Sequence, residues 1–222
     1  MDYIHKNLKN YQEKMTRGFN KREPNNTTRI HQRPPMVDIF TRHQLMGFSE
    51  RMRGYDDDVA REFSISFIPL TRASANVVVK CLSVAITPEV ISRITTLPLG
   101  LPWRKEDKTN NTLAKKSFFL EGEEPIEDKN GDRRESIPYP WDEVSYHIIK
   151  YISCEGRYSV VYGYHFRLLQ ELRFGENKPP QNRLNISYFL LKSMIDMTIK
   201  LQEGKHQQLA HHGLIKLILE DA

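Results

Sequence analysis

The chain holds two cysteines, Cys81 and Cys154, in 222 residues. That is too few for a disulfide framework, and the expected state is a pair of buried thiols in a reduced intracellular protein. With no Cys-x-x-Cys pair, a zinc ribbon or knuckle cannot form within the chain. No apolar run approaches the roughly 20 residues that a bilayer span requires. The opening Met1-Asp2-Tyr3-Ile4-His5-Lys6 lacks the apolar centre of a signal peptide. Asn-x-Ser/Thr triplets at Asn25, Asn26, Asn110 and Asn185 therefore carry no argument for glycosylation. A nuclear or cytoplasmic protein is expected, neither secreted nor membrane-embedded.

Signatures of catalysis are missing as well. The chain has no P-loop, no Gly-x-Gly-x-x-Gly, no Gly-x-Ser-x-Gly and no Asp-Ser/Thr-Gly. Asp128-Lys129-Asn130-Gly131-Asp132 begins like a calcium loop, but Arg133 stands where the loop needs glycine and Tyr139 where it needs glutamate, so a turn is expected. His206, His211 and His212 lack the i, i+4 spacing of a helical zinc pair. The expectation is a non-enzyme with no cofactor, no metal and no small-molecule substrate.

Charge is present but unevenly placed. Residues 1–53 carry eleven basic and five acidic side chains, a net of +6, whereas the remaining residues sum to −1 against a total of +5. A basic arm can neutralise phosphates and release counterions. Lys6, Lys9, Lys14, Arg17, Lys21, Arg22, Arg29 and Arg33 are the candidate nucleic-acid contacts on that reading. The plainer reading is a solvated tail.

Hydrophobic residues make up 39% of the chain, low enough that a folded core with polar excursions is expected. Ile4, Leu8, Tyr11, Met15 and Phe19 form one short helical stripe. Residues 20–35 have little to bury and read as linker, which places a largely disordered arm and linker at 1–35 and a domain at 36–222. Apolar spacing predicts a helix over 39–52. Asp56-Asp57-Asp58 reads as a helix start in preference to a metal or nuclease site, because adjacent helical side chains point apart. Phe63-Ser64-Ile65-Ser66-Phe67 alternates and predicts a strand, paired with a second over 76–86 that turns after Leu82. Thr87-Pro88-Glu89 is a threonine cap, a proline at the first helical position and an acid in the first turn. Leu97-Pro98 stops that helix.

Residues 103–140 carry balanced charge and read as a long, partly mobile insertion. Apolar stripes then predict helices over 141–153, 158–174, 186–201 and 209–220, packed antiparallel around one core. In the second of these, Tyr158, Tyr162, Tyr164 and Phe166 read as core in preference to a base-stacking surface. The last helix reaches Ala222 without a cap, as a truncated end would. The fold class expected is mainly α (α+β): a helical bundle with a short strand pair near 63–86 and a disordered N-terminal arm.

Three stretches carry a family resemblance. They are residues 79–91 with Thr96-Leu97-Pro98, the helix around Tyr164-His165-Phe166-Arg167-Leu168-Leu169, and residues 209–218. Over about 40–222 the chain resembles the plant transposon protein domain of retroelement-derived reading frames, itself loosely similar to the plant mobile domain. The 103–140 insertion departs from that pattern. The resemblance implies a non-catalytic helical interaction module whose partner is a protein or a second copy, and it assigns no catalytic residues. The alternative is sequence-independent, gag-like binding of nucleic acid through the basic arm.

Overall fold

The computed structural model describes residues 27–52, 56–102, 107–119, 123, 126–128, 131–153, 158–179, 182–202 and 211–222. The expected helix over residues 4–19, and with it Lys6, Lys9, Lys14, Arg17, Lys21 and Arg22, lies outside them. So do Cys154 and His206.

The described chain is mainly α with a small β component. It opens with α1 (Thr28–His31), α2 (Pro34–Arg42) and α3 (Leu45–Arg51). Residues 27–35, expected as linker, are part of the fold: Ile30 is fully buried and Pro34 occupies the first turn of α2. The single helix expected over 39–52 is broken in two, because Gln44 adopts a left-handed conformation between α2 and α3.

α4 (Asp57–Ser66) begins as the sequence indicated. The Asp56 carboxylate accepts hydrogen bonds from the amides of Asp58 and Val59, satisfying two orphan donors of the first turn. Its far end overturns the strand expected at 63–67. Residues 63–66 are helical, and Phe67, the extended residue just past the helix end, is buried with its ring centroid 5.7 Å from that of Phe63. The alternation of apolar and polar residues there fits both periods, and packing selects the helix.

An antiparallel sheet follows in the order β1 (Ile68–Thr71), β2 (Ser74–Val79), β3 (Leu82–Ile86). Ala75, Val77 and Val79 pair with Ile86, Val84 and Leu82. The β2–β3 turn is Lys80-Cys81, two residues earlier than expected, and both have positive φ, as a tight two-residue hairpin demands. Cys81 is consequently exposed at the turn and not buried. Ahead of the first residue of β1, α4 completes the bonding of β2: Val78 N–H donates to Ser66 Oγ and Lys80 N–H to Glu62 Oε1.

α5 (Pro88–Thr95) carries the expected cap, with Thr87 Oγ1 accepting from Val90 N–H at 3.4 Å. Gly100 then passes against the backbone of Arg183, where Leu101 and Leu184 form a parallel bridge.

The described parts of the charged insertion are docked. α6 (Lys108–Lys116) packs along α8 (Gly163–Phe174), and Phe118 is buried against Trp141 and Phe166. A second antiparallel sheet joins β4 (Glu127–Asp128), β5 (Gly131–Arg133) and β6 (Val160–Val161). Asp128 pairs with Gly131 and Glu127 with Asp132, so the described residues of the calcium-like segment lie on paired strands. β6 replaces the first turn of the helix expected over 158–174, because Val160 and Val161 pair with Arg133 and Asp132.

α7 (Trp141–His147) continues directly into a π-helical turn, Ile148–Ser153. α9 (Ile186–Gln202) buries Phe189, Leu190, Leu191, Met194, Ile195 and Met197. It is apolar on nearly all sides, as a central helix must be. α10 (His212–Asp221) packs on α4 and α5. One contiguous core joins the helices from α1 to α10 with the inner face of the first sheet. No described helix is long and apolar enough to cross a membrane.

Candidate functional site

Two of the eight basic residues singled out from the sequence are described, and the structure brings them together. Arg29 and Arg33 are one helical turn apart across the junction of α1 and α2, and both reach Glu143 on α7. Arg29 Nε and Nη2 donate to the two Glu143 oxygens at 3.0 and 2.9 Å. Arg33 Nη1 lies 2.9 Å from Oε1, and Arg134 Nη1 approaches the same oxygen at 4.0 Å. Only 8% of the Glu143 side chain is exposed, against 40% and 35% for Arg29 and Arg33. Burial alone would raise the Glu143 pKa. The hydrogen bond and charge of Arg29, with the charges of Arg33 and Arg134, outweigh that and hold it below the ordinary glutamate value.

The same cations surround a ring. The Arg29 guanidinium carbon sits 4.6 Å from the Tyr146 centroid, that of Arg134 at 5.4 Å and the Lys150 ammonium at 5.5 Å. Lys150 also donates to the Tyr146 hydroxyl at 3.3 Å and lies 5.2 Å from the Tyr151 ring. Helical spacing explains this gathering. Lys150 and Tyr151, each four residues on, lie one turn below Tyr146 and His147, where side chains on one helical face meet. Tyr158 meets Tyr146 edge-on at 5.8 Å. The product is a patch of guanidinium, ammonium and tyrosine groups over a buried carboxylate.

His147 lies beneath it, 2% exposed, among Phe40, Tyr146 and Tyr151. Among the described residues neither ring nitrogen has a hydrogen-bond partner. Sequence reading passed over Glu143, Tyr146, His147 and Lys150, since each looks ordinary on a helix. The available signal was the crowding of two tyrosines, a histidine and a lysine into residues 146–151.

A second arrangement has the look of chemistry. His165 Nε2 stands 3.0 Å from Ser153 Oγ, both fully buried. However, Tyr162 N–H donates to His165 Nδ1 at 3.1 Å. That bond makes Nδ1 the acceptor, so Nε2 carries the proton and donates to the serine. Such a histidine cannot take the hydroxyl proton, and the pair is a structural tie between the π-helical turn and α8. His43 is likewise committed, its Nε2–H donating to Leu172 O at 2.8 Å. His211 is buried at the start of α10. Among the described residues no three His, Cys, Asp or Glu side chains converge as metal ligands would.

Of the aromatic run, Phe166 is fully buried, while Tyr162 and Tyr164 stack on one another at 5.8 Å and are half-buried. Tyr158 is 40% exposed. The outer face of the first sheet, by contrast, is apolar and open: Ile68, Leu70 and Val78 are exposed there, next to Asn76 and Ser83.

No protein-family model matches the chain, and no curated protein or solved structure matches it.

Proposed function

We propose that the chain is a non-catalytic helical interaction module of a plant retroelement-derived protein, acting in the nucleus or cytoplasm, and that its partner is a protein, a second copy being the case open to direct test. The observation carrying this reading is the outer face of the β1–β2–β3 sheet. Apolar side chains exposed together on a strand surface are the usual material of a protein interface. Groups that chemistry would recruit are already occupied structurally: Asp56 caps α4, and His165 holds Ser153 from the wrong tautomer for nucleophilic attack.

Sedimentation of the full chain over a range of concentrations tests the reading. Association is expected, and Leu70→Lys with Val78→Lys should abolish it while leaving the thermal melt unchanged. A monomer at every concentration would exclude a second copy as the partner, and association indifferent to both substitutions would remove the sheet as the interface.

The second reading is nucleic-acid binding through the basic arm, favoured by the +6 carried on residues 1–53. Arg29 and Arg33 leave that arm for the Glu143 cluster, so Lys6, Lys9, Lys14, Arg17, Lys21 and Arg22 would supply its contacts.

A further inference from the structure

We propose that the patch of Arg29, Arg33, Arg134 and Lys150 around Tyr146, with the exposed ring of Tyr158, is a binding site for single-stranded nucleic acid on the folded body. It depends neither on the protein-partner reading nor on the basic arm.

Among the described residues, the three guanidinium groups of Arg29, Arg33 and Arg134 gather about two carboxylates, Glu143 and its neighbour Asp142, and Lys150 stands against the same ring. Three of those cations stand within 5.5 Å of a single ring. Like charges gathered so closely repel one another, and a polyanion relieves that repulsion. Glu143 does not exhaust the arginines. It takes two of the five N–H donors of Arg29 and one of Arg33, and both side chains remain more than a third exposed. Donors in a guanidinium fork suit phosphate oxygens. Glu143 thus sets the arginines side by side, and the Tyr146 face holds Arg29, Arg134 and Lys150 in place.

Tyrosine is what separates this patch from a site for acidic peptides. A carboxylate-bearing chain needs the cations alone. A nucleic-acid strand alternates phosphates with flat bases, and it needs aromatic faces next to the cations. Tyr158 supplies one, 40% exposed and edge-on to Tyr146. A π-helical turn beneath the patch agrees with such a role, since these turns are concentrated at functional sites.

The experiment uses the full chain with Lys6, Lys9, Lys14, Arg17, Lys21 and Arg22 all changed to Gln, so that any binding comes from the body. The probe is a fluorescent single-stranded oligonucleotide of about twelve nucleotides, read by anisotropy across a salt series. Three to four phosphate contacts predict a slope of log K against log salt of roughly −2 to −3. Lys150→Gln should lower affinity and flatten that slope by about 0.7, and Lys150→Arg should restore both. Tyr158→Ala should weaken binding about fivefold or more with the slope unchanged, since stacking releases no counterions. A thermal melt on each variant separates loss of the site from loss of the fold, and Tyr158, being exposed, is the substitution least able to unfold the chain. No binding at low salt in the arm-neutralised chain would overturn the proposal. So would binding that ignores both Lys150→Gln and Tyr158→Ala. A poly-glutamate peptide that competes as well as unlabelled oligonucleotide would also overturn it, by identifying an acidic-peptide surface.

Discussion

Mild acid should destabilise this protein through His147. The ring is buried among Phe40, Tyr146 and Tyr151, and among the described residues neither nitrogen has a hydrogen-bond partner. Burial is the main cause that lowers its pKa from 6.5 to about 4. The charge of Arg29 adds to this, as do Lys150 and Arg33, and Glu143 opposes them. An unfolded chain binds this proton near 6.5, so between that value and about 4 it holds more protons than the folded state. The stability contributed is complete above 6.5 and is lost as pH falls toward about 4. Linkage puts the loss at about 2 kcal/mol at pH 5 and about 3 kcal/mol below pH 4. For a chain of this size the pH 5 figure is a fall of roughly 4–8 °C in melting temperature. His147→Phe keeps a ring in the same slot and removes both the titration and the unbonded nitrogens, so stability at pH 7 should be unchanged or slightly higher. Urea unfolding of both chains at pH 7, 6 and 5 measures the difference. His43, whose pKa burial also lowers, is present in both and cancels. If the two chains lose stability in parallel from pH 7 to pH 5, the ring is not buried in its neutral form and the reasoning fails.

Four further expectations concern stability. Thr87→Ala should cost about 1 kcal/mol or somewhat less, since the cap bond to Val90 is long, and an unmoved denaturation midpoint would count against the cap. Glu143→Ala leaves Arg29 and Arg33 without their carboxylate and should cost about 2–4 kcal/mol, discounted for their exposure, measured by urea unfolding at pH 7. A Cβ at Gly100 would fall inside van der Waals contact with Arg183 O, so Gly100→Ala should break the Leu101–Leu184 bridge and speed amide exchange at Leu101. Lys80→Asn with Cys81→Gly supplies the residues that a turn of positive φ prefers and should gain about 1 kcal/mol.

What could be read from sequence was whatever depends on neighbours in the chain. Asp56 and Thr87 cap helices because a short oxygen-bearing side chain before an apolar stripe meets amides two or three residues on. The stripes behind α7, α8, α9 and α10 were visible for the same reason. Local reading failed where two periods coincide: Phe63 and Phe67 satisfy alternation and a helical turn equally, and only the core beneath them decides. It failed again at Lys80-Cys81, where neither residue announces a left-handed turn and the strand register imposes one. Val160 and Val161 became a strand because a partner arrives from Asp132 and Arg133, inside a segment that looked like an insertion.

The cation cluster is the extreme case of that dependence on distant residues. Arg29 and Glu143 are 114 positions apart. In sequence, the arginine belonged to a basic arm and the glutamate to the first turn of an unrelated helix, and each had an adequate local account. Ile30 and Met36, both fully buried, fasten α1 and α2 to the body and so carry Arg29 and Arg33 onto α7. The order of residues 27–35 and the existence of the cluster are thus one fact: two apolar side chains in a polar stretch convert a run of arm charges into a fixed surface. Counting charge along the chain located the basic residues but could not say which of them the fold would hold, because that depended on what Ile30 and Met36 pack against.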